Sequence, residues 1–187
     1  MKLAIVTPWP PERSGIADYS YDLAKGLVEQ GLNVSIYTEC DTPRALNGVT
    51  IYNGPTDSWP LDEFDLRVFH FGNNYDFHYH MLDLLEKFGG IVHLHDYVLH
   101  HFMAKVAEVE KGWQWYFDSL SNAYGKTEAN KVKLEWESGG IPAWEKDNIL
   151  EYPFNEQVIE LADAIITHSD FAKRKILSRF PNKSIAH

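Results

Sequence analysis

The sequence predicts an α/β fold, a mostly parallel sheet with helices on both faces. Three observations predict it. Short apolar runs with β-branched residues recur along the chain, each long enough for a buried strand. Between them lie longer stretches whose apolar residues fall at helical spacing. The opening reads strand, loop, helix, strand, and a βαβ unit of this kind joins parallel strands. Repeated alternation builds one sheet covered on both sides.

Leu3 to Thr7 is the first apolar run. Pro8, Pro10 and Pro11 make a stiff loop after it, and Ser14 is placed to cap a helix. Ile16, Ser20, Leu23, Ala24, Leu27 and Val28 share one helical face, and Gly31 can close that helix. Val34 to Thr38 is the second strand, and Val49 to Tyr52 a short third. Leu66 to Phe71 is a firmer strand that ends at Gly72-Asn73-Asn74. A helix follows from Asp76 to Phe88, with Phe77, Met81, Leu84, Leu85 and Phe88 as its stripe. Gly89-Gly90 ends it. Ile91 to Leu94 is the next strand, and Tyr97 to Glu110 is expected to be helical. From about 97 to 150 the rhythm breaks into a helical insertion that holds Trp113, Trp115, Trp136 and Trp144. Within it, Thr127 to Glu137 is a charged helical middle. The alternation then resumes: helix Asn155 to Ala162, strand Ala164 to Thr167, helix Ser169 to Phe180, and the start of a strand at Ser184 to Ala186.

At 187 residues the chain has the length of one domain, and it can bury a sizeable core without staples. Seventeen Lys and Arg against 27 Asp and Glu leave a net charge of −10. That balance lacks the basic footprint of nucleic-acid binding and shows no polybasic membrane patch. A single cysteine, Cys40, excludes an intramolecular disulfide and any cysteine-built metal cluster. No apolar run approaches the roughly 18 residues of a membrane-spanning helix. Met1 to Thr7 carries one positive charge and too short an apolar run for a signal peptide. The expected location is therefore cytoplasmic. Nine histidines stand out, as do six Trp, ten Tyr and ten Phe.

In parallel sheets of this kind, ligands bind outside the carboxyl ends of the strands. That rule selects the loops Pro8 to Gly15, Gly72 to Tyr75, and His95 to Tyr97. Ser14-Gly15 at a helix start offers backbone N–H groups to a phosphate, and serves equally as a plain turn and cap. Neither G-x-G-x-x-G nor G-x-x-x-x-G-K-[ST] occurs. Asn73 and Asn74 suit a hydroxyl-rich ligand and are also ordinary turn formers. His93 and His95 point to one face of a strand. A metal would need a third ligand of fixed geometry, and Asp96, His100 and His101 offer no defined spacing for it. The simpler reading is a strand-end histidine working by hydrogen bonding or proton transfer. The tryptophan-rich stretch reads as the core of the insertion, with a sugar-stacking surface as the alternative.

Four segments together resemble the amino-terminal half of the GT-B glycosyltransferases, in particular the retaining family 4. They are Pro10 to Ser20, Phe71 to Asn74, Val92 to His101, and Leu161 to Ser169. The resemblance implies that residues 1–187 form a Rossmann-like acceptor-binding domain, one half of a GT-B fold. The donor-binding half, with its basic pair and glutamate motif, is absent. Gly15, flanked by Ser14 and Ile16, matches the family's glycine at the donor phosphate. His95 matches the histidine beside the transferred sugar and is the expected catalytic residue. Asn73, Asn74, Asp96 and Tyr19 match acceptor or sugar contacts. Neither a metal nor another cofactor is implied.

The implied partners are a nucleotide-sugar donor, a saccharide or lipid-linked acceptor, and the second domain. A lipid-linked acceptor would bring peripheral contact with the inner face of the membrane. Half of a cleft is expected to be inactive alone. Two other readings stay open: a non-catalytic carbohydrate-binding or interaction module, and a metal-dependent hydrolase built on His93 and His95.

Overall fold

Seven strands pair into one sheet in the computed structural model, which describes residues 1–187. They are β1 (Lys2–Val6), β2 (Asn33–Thr38), β3 (Thr50–Asn53), β4 (Leu66–Phe71), β5 (Ile91–Leu94), β6 (Ala164–Thr167) and β7 (Ile185–Ala186). Every pairing is parallel, so the sheet is wholly rather than mostly parallel. The order is β3-β2-β1-β4-β5-β6-β7. The chain moves one way from β1 to β2 and β3, and the other way from β4 onward. Right-handed crossovers then put the connecting helices of the two halves on opposite faces, the Rossmann-like arrangement.

The helices are α1 (Gly15–Glu29), α2 (Tyr75–Phe88), α3 (His100–Val106), α4 (Trp113–Tyr124), α5 (Lys126–Glu137), α6 (Glu156–Leu161) and α7 (Asp170–Arg179). None is long and apolar enough to cross a membrane. Two compact units emerge. The first comprises residues 1–72, 80–95 and 158–187, and the second residues 73–79 and 96–157.

The first unit is the sheet. Strands covered on both faces must be apolar throughout, and Leu3 to Val6 of β1 are all buried. Leu3, Ile5, Val34 and Ile36 pack with Ala24 of α1, Trp9 and Cys40. Trp9 ties the proline loop down: its indole N–H donates to the Arg44 carbonyl at 2.8 Å, and its backbone N–H to Glu12 Oε2 at 2.9 Å. Burial raises the Glu12 carboxyl and the Cys40 thiol above their ordinary pKa values. The thiol is free and buried, so it has no nucleophile's environment.

The second unit is helical. Phe102, Met103, Tyr116, Phe117, Leu120 and Phe154 are buried in it. The expected helix from Tyr97 starts three residues late, at His100. Backbone groups that an earlier start would use are bonded elsewhere: Leu99 N–H donates to the Pro153 carbonyl at 2.7 Å, and the Asn155 amide donates to the Tyr97 carbonyl. After Val106 the chain widens into a π turn, Ala107–Lys111, and Gly112 at φ 83° ends it.

Gly90, which leads into β5, has φ 145°. A Cβ there would lie 2.9 Å from both the Arg67 carbonyl oxygen and Phe69 Cε2, on the neighbouring strand. Neither neighbour is the free end of a flexible chain. Gly90→Ala is therefore expected to lower unfolding stability by about 1 to 3 kcal/mol, read as a lower urea midpoint at unchanged slope.

Candidate functional site

The strand order reverses between β1 and β4, and in open parallel sheets ligands bind outside the carboxyl ends of the strands at such a point. Thr7 follows β1, Ser20 lies on the first turns of α1, and His70 is the penultimate residue of β4. Thr7 Oγ1 and Ser20 Oγ are 2.6 Å apart, and Ser20 Oγ is 2.7 Å from His70 Nδ1. Thr7 also donates its hydroxyl proton to the Pro8 carbonyl at 3.1 Å. A hydroxyl has one proton, so a single arrangement serves all three contacts. Ser20 donates to Thr7, and His70 Nδ1–H donates to Ser20. The lone pair of His70 therefore sits on Nε2.

Parallel pairing sets His70 beside His93 of β5, and His95, two residues on, shares the His93 face. The His95 N–H donates to the Phe71 carbonyl at 2.8 Å, which extends the strand pairing past the end of β5. His168, after β6, completes the group. Ring centroids are 4.9 Å apart for His70 and His93, 4.6 Å for His93 and His95, and 4.5 Å for His93 and His168. His168 Nε2 is 3.1 Å from His95 Nδ1. Tyr19 of α1 stands edge-on to His93, His95 and His168, with centroids 5.4, 5.0 and 5.1 Å away. Burial, and after it the nearby His168, lowers the His93 pKa to about 4. Burial also raises that of the Tyr19 hydroxyl. At neutral pH His93 is an uncharged imidazole.

The expected phosphate-binding residues sit at the start of α1. Ser14 is the cap: its Oγ accepts from the Ile16 N–H at 3.2 Å, and its carbonyl accepts from Ala17 N–H at 3.0 Å. The Ile16 N–H is thus already used within the cap. Gly15 is exposed, and no heavy atom lies within 4 Å of where its Cβ would be. A ligand can approach the backbone closely there.

Asn73, Asn74 and Asp96 belong to the helical unit, and much of their polarity is spent on the fold. Asn73 N–H donates to Asp96 Oδ2 at 2.8 Å, and Asn73 Oδ1 accepts from Phe102 N–H at 3.0 Å, in the first turn of α3. Asn74 Oδ1 accepts from Asp76 N–H at 3.0 Å and so starts α2. Asn73 and Asn74 also line a cavity of about 550 Å³, with Tyr75, His101, Trp113 and Trp144. The Trp113 and Trp144 rings lie 5.7 Å apart and near parallel, at 11°. Trp113 also touches Trp136, with centroids 4.7 Å apart. The tryptophans are half-buried. They pack the insertion, and two of them also present ring surface to the cavity.

Sequence reasoning gave no role to His70 or His168. Their signal is position, since each lies within one residue of a strand's carboxyl end. The metal candidates Asp96, His100 and His101 belong to the other unit. No protein-family model matches the chain, and no curated protein matches it.

His100 shows what a fixed imidazole does in this fold. Its Nδ1–H donates to the Tyr152 carbonyl at 2.7 Å, and Nε2 accepts from the Tyr116 hydroxyl at 2.6 Å. Burial lowers its pKa from 6.5 to about 4. Between those values the unfolded chain binds the extra proton, so stability is full above pH 6.5 and falls with pH toward 4. The expected contribution to the slope approaches about 1.4 kcal/mol per pH unit. Urea unfolding across that range, with His100→Asn for comparison, measures it. The variant should lose that part of the slope.

Proposed function

We propose that the chain is the acceptor-binding, amino-terminal domain of a retaining glycosyltransferase that uses a nucleotide-sugar donor. The observation that carries the reading is the set of Tyr19, His93, His95 and His168 gathered at the carboxyl ends of β5 and β6, with the open backbone of Gly15 one helical turn before Tyr19 on α1. Imidazole and phenol groups offer both donor and acceptor capacity, which suits sugar hydroxyls. Transfer from a nucleotide sugar builds negative charge on the departing diphosphate, and the active site must stabilise it. The approachable backbone at Gly15 supplies one N–H group toward that end. His95 orients or hydrogen-bonds the transferred sugar. The cavity with Trp113 and Trp144 has by itself the surface of a saccharide site, because flat indole faces and flanking amides suit a sugar. A lipid-linked acceptor would bring the protein to the inner face of the membrane.

In this reading the diphosphate is held mainly by a second domain, so the chain alone does not turn over. Sugar transfer is measured for a panel of nucleotide sugars, with this chain and with a longer polypeptide that carries a second α/β domain. Robust turnover by the 187-residue chain would sink the half-enzyme reading. No transfer by the longer polypeptide would sink the transferase. In that longer polypeptide, His95→Ala is expected to lower kcat/KM by about 100-fold or more. Undiminished activity in that variant removes His95 from the reaction.

A further inference from the structure

The switch-point histidines have a capacity beyond hydrogen bonding. We propose that His70, His93 and His95 form a binding site for a divalent transition-metal ion of the zinc class. One ring nitrogen from each lies within 4.8 Å of the others. Zinc–imidazole bonds of about 2.0–2.1 Å put tetrahedral nitrogens roughly 3.3 Å apart, so modest ring rotations bring the three to ligand spacing.

Proton placement favours the same assignment. The Thr7–Ser20–His70 relay puts the proton of His70 on Nδ1 and its lone pair on Nε2. His95 repeats the pattern: its Nδ1 faces His168 Nε2 at 3.1 Å, and donation along that contact leaves Nε2 of His95 as the ligand atom. Metal-binding histidines are held in this way, with the distal N–H given to an outer partner that fixes tautomer and ring orientation. Here the outer partners are Ser20 and His168.

The donor set selects the ion. Three imidazoles with no carboxylate among them suit zinc, copper, nickel or iron(II), and do not suit magnesium or calcium, which require oxygen. Cys40 contributes nothing, because it packs with Leu3, Ile5 and Trp9 in the hydrophobic core. Three protein ligands leave a fourth position for water or a substrate oxygen, the composition of a zinc site with an open place. The third ligand is the element that sequence spacing could not supply, and it comes from β4 through the register of His70 with His93. The proposal does not depend on the transferase reading.

The test uses the 187-residue chain, stripped with a chelator and titrated with Zn²⁺ against a chromogenic competitor. One ion per chain with a sub-micromolar Kd is expected. Co²⁺ on the unmodified chain should give the intense visible absorption of a four-coordinate site, a readout that requires no variant to fold. His70→Gln, His93→Gln and His95→Gln should each weaken binding by more than Ser20→Ala does. The loss for Ser20→Ala should be about 10-fold to 100-fold, while His187→Gln should leave binding unchanged. Absence of saturable one-to-one binding overturns the site, as does the pale spectrum of six-coordinate Co²⁺. Unchanged affinity in histidine variants that keep the parent circular dichroism overturns it too. Stoichiometric zinc, with no sugar transfer by the longer polypeptide, would uphold the site and remove the transferase. Transfer by a polypeptide that binds no zinc would do the reverse.

Discussion

Everything at the candidate site depends on β1 pairing in parallel with both β2 and β4. A central strand with partners on both sides sends its own crossover toward one edge, while the later crossovers run toward the other. The chain leaves a gap where the two directions part, at the carboxyl ends of β1 and β4. Residues that follow the strands must then meet one another there. Thr7, His70 and His95 are neighbours because their strands are, and α1 adds Ser20 and Tyr19 because its cap at Ser14 sets where the helix begins. Moving the cap by one residue would turn Ser20 by about 100° away from His70 and break the relay. The cap and the site are in this sense one feature.

The same gap gathers four imidazoles within ring contact, and electrostatics limits what they can be. Charged imidazoles at such distances repel, and burial removes the water that would screen them. His93 answers with a pKa lowered to about 4, burial being the larger cause and His168 the smaller. His93 is therefore suited to uncharged chemistry: donating and accepting hydrogen bonds, and lending a lone pair. The buried end at His70 is fixed by hydroxyls. The end at His168 and Tyr19 is open to solvent, so a ligand meets the exposed side of a set whose inner side is held.

Much of the fold was legible, and the reasons are local. Leu66 to Phe71, Ile91 to Leu94 and Ala164 to Thr167 are apolar runs bounded by glycine, aspartate or polar residues, and each forms a strand over those residues. What failed to show was decided by contacts distant in sequence. Tyr97 to Leu99 carry an acceptable helical pattern, yet Pro153 and Asn155 take their backbone groups. Asn73 reads from its loop as a ligand contact, and that its side chain also bonds α3 depends on a residue 29 positions away. His93 and His95 were visible as a pair because alternation on a strand is a local rule. His70 was not, because 23 residues separate it from His93 and only the register of β4 on β5 brings them side by side.

Charge decides what this site can hold by itself. The chain carries −10 overall, and His93 within its histidine group is uncharged at neutral pH. A diphosphate brought to the switch point would find the backbone at Gly15 and the nearby cation of Arg13, which sits exposed on the same loop. That is a weak grip, since one exposed cation in water contributes little. Two additions would change it: cationic side chains from another domain, or a divalent ion on the imidazoles. They differ in where they act. Cations from another domain approach from outside the sheet and leave the histidine rings as they are. An ion on Nε2 of His70 acts from within and depends on Ser20 and Thr7 behind it. The relay beneath His70 is therefore the feature by which the two can be told apart, because only the second mode of binding passes through it.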